Sequence, residues 1–80
     1  MSGLLMRLIT SDTKQELADI KSVNCTLVGG PVKILPHHAP MIATIERGKL
    51  YVVRNDGVKS FEIASSGLLK VERNVVTIVS

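Results

Sequence analysis

The segment Ile34-Leu35-Pro36-His37-His38-Ala39-Pro40 contains both histidines of the 80-residue chain, side by side, and two of its three prolines. Imidazole is the side chain best suited to metal ligation or proton transfer near neutral pH, so chemistry is to be sought here first. Pro36 restricts Leu35 to extended geometry and Pro40 does the same to Ala39, which stiffens the residues between them at both ends. Neighbours in an extended chain project to opposite sides, so His37 and His38 do not readily share one metal ion. The remaining candidate ligands, Cys25, Asp12, Asp19 and Glu46, show no metal-site spacing. Catalysis would need a partner for an imidazole. The sequence offers no Gly-x-Ser-x-Gly elbow, no Cys/His motif and no Gly-rich phosphate loop opening a helix. Gly29-Gly30-Pro31 lacks the helix N-terminus that would face a phosphate. The histidines are expected to pack or hydrogen-bond in a rigid surface turn, with no catalytic residue, metal ligand or cofactor in the chain. Cys25, the single cysteine, cannot form an intramolecular disulfide; its alternation with Val23 and Leu27 predicts a buried, reduced thiol.

The elements that hold this turn read as short strands. Lys49–Arg54 and Val58–Ile63 flank Asn55-Asp56-Gly57, a hairpin signal because Gly accepts positive φ without strain. Phe61 and Ile63 alternate with Ser60 and Glu62, as one buried and one wet face require. Leu68–Glu72 and Val75–Val79, joined by Arg73-Asn74, predict a second hairpin. Upstream, Leu5–Thr10, Ser22–Val28, Val32–Leu35 and Met41–Ile45 read as strands, with Gly29-Gly30-Pro31 as a turn. Asp12-Thr13-Lys14-Gln15 resembles a capping box followed by Leu17, Ile20 and Lys21 at helical spacing, so a short helix competes there with extended chain; flanking β-structure favours the extended form. Eight to ten short strands in one domain predict an all-β sandwich or barrel.

Composition narrows the function classes. Ten Lys and Arg against seven Asp and Glu give a net charge of +3 and a pI near 9.4, but the cations are scattered and form no basic block. Tyr51 and Phe61 are the only aromatic residues, too few for a surface on which bases stack. A small basic β-barrel that binds single-stranded nucleic acid is thus the disfavoured alternative. The hydrophobic fraction of 45% and mean hydropathy of +0.28 are high for so small a domain, which buries only about 60 to 65% of its unfolded surface, and they predict a protein partner over some apolar surface. Charges interrupt every apolar run well short of the roughly 18 residues that span a bilayer. Met1-Ser2-Gly3-Leu4-Leu5-Met6 lacks a signal-peptide core before Arg7, so a cytoplasmic location is expected.

Two stretches carry a family resemblance. ILPHHAPMIATIERGKL, 34–50, is similar to the ILPGHAPLLT-then-PG segment of the epsilon subunit of F-type ATP synthases, called delta in mitochondria. ASSGLLKVERNVVTIV, 64–79, is similar to its VSGGFLEV-then-NxVTVL segment. The matched residues, Leu35, Pro36, His38, Ala39, Pro40, Gly48, Ser65, Gly67, Leu69, Val71, Asn74, Val76 and Thr77, keep the family's order and spacing.

The resemblance implies a single domain over 1–80, a β-sandwich of two roughly five-stranded sheets. It implies a non-catalytic rotor part that joins the gamma subunit to the c-ring and couples proton-driven rotation to ATP synthesis. Such a subunit sits peripherally on the cytoplasmic face of the inner (plasma) membrane, held there only through its complex. Thr10, His38 and Ala43 would face gamma; a turn of Gly30, Pro31, Val32 and Lys33 would face the ring. Three departures stand out. His37 replaces a Gly; Ser66 replaces the first of a Gly pair; and Gly30-Pro31-Val32-Lys33 stands where the family has a Gly-acidic-hydrophobic-Gly pattern. The family also commonly continues into a C-terminal helical hairpin, whereas this sequence ends at Ser80, so neither inhibition nor nucleotide binding by that route is expected.

Overall fold

The computed structural model describes residues 3–80; of the N-terminal run searched above for a leader, Met1 and Ser2 lie outside them. The described residues form eight strands and no helix: β1 (Leu4–Ile9), β2 (Lys14–Leu27), β3 (Gly30–Ile34), β4 (Met41–Ile45), β5 (Gly48–Arg54), β6 (Gly57–Ile63), β7 (Gly67–Glu72) and β8 (Val75–Val79). The ladders trace two layers. One runs β2–β1–β8–β7–β4 and uses the first part of β2, where Lys14 to Ile20 pairs with β1. The other runs β3–β2–β5–β6 and uses β2 from Ile20 to Leu27. Only β1 and β8 pair in parallel. With β2 counted in each, the layers have five and four strands, so the all-β sandwich is as expected and its second sheet is one strand short.

Alternation assigns the core. Leu4, Met6 and Leu8 from β1, Leu69 and Val71 from β7, and Val76 and Ile78 from β8 are buried, as are Val23, Cys25, Ile34, Leu50, Val52 and Ile63 from the opposite layer. They form one cluster. Removing each such side chain from water stabilises the fold by about 1.5–3 kcal/mol before chain entropy is counted. β2 changes layer at an irregularity: its register against β5 shifts between Ile20 and Ser22, and Asp19 takes φ 57°. A bulge of this kind bends a strand. Gly3 packs against the bend so closely that a Cβ there would lie 2.8 Å from the Asp19 Cα.

The competition over residues 12–21 resolves to strand. The Thr10 hydroxyl accepts from the Thr13 amide at 3.0 Å and pairs with the Thr13 hydroxyl at 2.9 Å, so these polar residues close the β1–β2 turn instead of capping a helix. β1 then offers a full ladder to Lys14–Leu17. Gly57 takes the positive φ expected of the β5–β6 hairpin, and Arg73 (φ 52°) and Asn74 (φ 63°) form the two-residue β7–β8 turn with both central residues left-handed. One boundary needs correction. The turn before β3 is Val28-Gly29, and Gly30, Pro31, Val32 and Lys33 are not a turn but most of β3. Gly29 and Gly30 both have positive φ, which lets the reversal close early enough for Gly30 to pair with Leu27. Pro31 is tolerated because β3 has a ladder on one side only.

Candidate functional site

The proline-framed turn is docked on the second motif. The His38 amide donates to the Leu35 carbonyl at 3.2 Å across Pro36 and His37, and His37 has φ 67°. Proline followed by a left-handed residue is the signature of a type II turn, whose third position favours Gly. The family's Gly at this place therefore has a conformational reason, and His37 occupies it at some strain. The strained peptide is pinned: the His37 amide donates to Asn74 Oδ1 at 2.6 Å. The Asn74 carbonyl accepts from the Leu5 amide at 2.9 Å, so one turn residue ties β1, β8 and the Pro36-His37 turn together. His38 Nδ1 lies 2.7 Å from the Ala39 carbonyl; since a carbonyl only accepts, the ring donates here through Nδ1–H, which fixes the orientation of the imidazole. The turn is therefore a rigid, hydrogen-bonded surface element.

The three residues expected to face a partner do not form one patch. Thr10 follows Ile9, level with Val79, Leu68 and Thr44, at one end of the five-stranded layer. His38 precedes Met41, level with Val71, Val76 and Met6, at the other end. Along the strands they are separated by about 13 Å or more, four residues at about 3.3 Å each. Ala43 lies between them on β4, opposite Leu69, half-buried on the side that also carries Met41 and Ile45. On β3, Pro31 and Lys33 are exposed while Gly30 and Val32 are half-buried, with Val32 opposite the buried Cys25. Burial pushes the Cys25 thiol up to about 11, which keeps it protonated and unreactive at neutral pH.

The outward face of the five-stranded layer carries residues that the sequence reading did not single out. Ile42 (69% exposed), Leu68 (48%) and Val79 (46%) project to solvent. Thr44, Leu68, Val79 and Ile9 follow one another across four strands in a single row. Apolar residues so arranged on a solvent face mark an interaction surface. The signal was present in the doublets Met41-Ile42, Leu68-Leu69 and Ile78-Val79: on a strand only one member of each can point into the core.

Comparison with known proteins gives a consistent result. The family model for the ATP synthase Delta/Epsilon chain, beta-sandwich domain, matches residues 4–80. An ATP synthase epsilon chain from Protochlamydia amoebophila is 31% identical over 75 residues, covering 94% of this chain and 51% of that protein. One from Roseiflexus sp. is 33% identical over 75 residues, covering 94% and 53%. The chain thus spans about half the length of these relatives. Among solved structures, a chain of the Euglena gracilis mitochondrial ATP synthase (OSCP/F1/c-ring) superposes with a TM-score of 0.85 at 19% identity, covering all of this chain and 51% of that one. A chain of the Tetrahymena thermophila mitochondrial ATP synthase central stalk and c-ring gives 0.77 at 13% identity, covering 95% and 61%. With the family model matched over nearly its whole length, the chain belongs to the ATP synthase Delta/Epsilon chain β-sandwich family.

Proposed function

We propose that this domain is a non-catalytic central-stalk component of an F-type ATP synthase, joining the gamma subunit to the c-ring so that proton-driven rotation is coupled to ATP synthesis. The observation that carries this reading is the family match over residues 4–80, nearly the whole chain. The molecule suits the task physically: a close-packed core with little compressible volume resists deformation under load. The gamma-facing surface is the exposed apolar row around Leu68 and Val79, with Thr10 and His38 at opposite ends of the layer and Ala43 supporting it from the inner side of β4. The c-ring contact is the β3 edge, Gly30, Pro31, Val32 and Lys33, where Pro31 and Lys33 face outward. The domain is peripheral, on the cytoplasmic face of the inner (plasma) membrane, and associates with the bilayer only through its complex.

The test is affinity isolation of the tagged chain from its source cells in mild detergent. Recovery of gamma and c subunits is expected; recovery of neither refutes the assignment. The double variant Leu68→Asp with Ile42→Asp separates the two contacts. It should lose gamma while the isolated domain keeps its unfolding midpoint, because both residues are about half or more exposed.

A further inference from the structure

Beside the apolar row, the outward face of the five-stranded layer holds a shallow cleft of about 350 Å³, lined by Arg7, Lys70, Glu72, Arg73, Val75 and Thr77. We propose that this cleft binds a phosphate-type oxyanion, free or as the headgroup of an acidic phospholipid. Three observations carry the inference.

The first is register. Arg7 on β1 lies directly opposite Thr77 on β8, and Thr77 lies directly opposite Lys70 on β7. Neighbouring strands stand about 4.8 Å apart, so the two cations flank a hydroxyl with their backbones roughly 10 Å apart. Both side chains are long enough to meet above Thr77. Arg73 approaches along the strand direction from the β7–β8 turn, its backbone held left-handed there.

The second is the donors left over. Arg7 engages Glu16 through Nε alone, at 3.0 Å, which leaves the two terminal nitrogens of its fork without a carboxylate. Arg73 has no ion-pair partner, and the half-buried Thr77 hydroxyl no hydrogen-bond partner, among the described residues. Lys70 meets Glu72 at 3.3 Å, but both side chains are about half exposed, so that pair is weak and yields to a stronger acceptor.

The third is charge and shape. Arg7, Lys70 and Arg73 outnumber Glu16 and Glu72 three to two, which leaves one positive charge for a ligand. A tetrahedral oxyanion has oxygens enough for an arginine fork, a hydroxyl and an ammonium together, whereas a carboxylate has two. Val75 adds an apolar side chain to the lining.

The experiment is a titration of the 80-residue chain with inorganic phosphate at constant ionic strength, followed by amide NMR, with chloride as the parallel series. Saturable shifts are expected at Arg7, Lys70, Arg73 and Thr77, with a dissociation constant on the order of 1–10 mM, as solvent-exposed contacts allow. Arg7→Gln combined with Arg73→Gln should weaken binding at least about fivefold, while Lys59→Gln, an exposed cation on another strand, should leave it unchanged. Vesicles of phosphatidylglycerol and of phosphatidylcholine identify the source. Sedimentation with the first alone, lost in the double variant, assigns a lipid headgroup, whereas phosphate saturation without vesicle binding assigns the free ion. Shifts equal to those with chloride, or scattered over all lysines and arginines, overturn the proposal. None of these readouts depends on binding to gamma.

Discussion

Replacing Asn74 by alanine and by glycine separates two contributions made by one side chain and its backbone. The side-chain oxygen accepts from the His37 amide at 2.6 Å, and the residue holds φ 63° in the β7–β8 turn. Glycine keeps the left-handed conformation; the freedom it adds to the unfolded chain roughly offsets the relief of a side chain held left-handed, so the net loss is that of the hydrogen bond, about 1 kcal/mol. Alanine loses the bond and also forces a Cβ into left-handed geometry, which adds about 1 kcal/mol and brings the total to about 2 kcal/mol. In a domain of this size each kcal/mol lowers the melting temperature by about 4–8 °C, so the two variants should be well separated. Aspartate retains the acceptor and tolerates the turn, so Asn74→Asp should stay within about 0.5 kcal/mol of the parent. The assay is urea unfolding by circular dichroism, with an unchanged denaturant slope as the check that only native stability moved. If the alanine and glycine variants unfold together, the left-handed turn carries none of the cost. If the glycine variant matches the parent, the link to His37 contributes nothing.

Other substitutions follow the same logic. His37→Gly relieves a left-handed residue at about 1–2 kcal/mol and adds unfolded-chain freedom at about 0.5–1 kcal/mol, so a net gain of about 0.5–1 kcal/mol is expected; a less stable variant would contradict the turn assignment. Gly67→Ala places a Cβ against the Val79 carbonyl oxygen and 2.9 Å from the Ser80 Cα, so the end of β8 must move. A loss of about 1–3 kcal/mol in thermal unfolding is expected, and an unchanged midpoint would refute it. The Cys25 thiol, raised by burial from 9.0 to about 11, favours the folded state fully below pH 9, and that contribution fades as pH rises through 11. Alkylation by iodoacetamide at pH 8, followed by mass spectrometry, should therefore be slow until urea unfolds the chain; equal rates in both states would show an open thiol.

Most strands were legible because their period-2 patterns agree with their turns. Asn55-Asp56-Gly57 and Arg73-Asn74 lie between runs whose alternate members, such as Leu50 and Val52 or Val76 and Ile78, are the ones found buried. β2 was harder. Residues 14–20 carry mostly polar side chains, with Leu17 half-buried and Ile20 buried, so periodicity alone does not choose strand over helix; the choice comes from the ladder that β1 supplies. The β3 boundary slipped because Gly29-Gly30-Pro31 reads locally as a turn, while the pairing of Gly30 with Leu27 is a tertiary fact. At the candidate site, His38 belongs to the first motif and Asn74 to the second, and neither motif shows that Asn74 reaches His37. Nor did they show that Arg7, Thr77 and Lys70 share a row, since contacts across distant strands leave no trace in local spacing.

One property of β2 bears on any part that must carry torque. Its 14 residues enter the ladder of one layer and leave through that of the other, with the bend at Asp19 and Ile20 between. The layers are thus welded along a continuous backbone, and neither can slide over its neighbour without tearing interstrand hydrogen bonds on both sides of the bend. A twist applied to one side of the molecule would be carried through covalent bonds to the other, so the domain resists it as a single body.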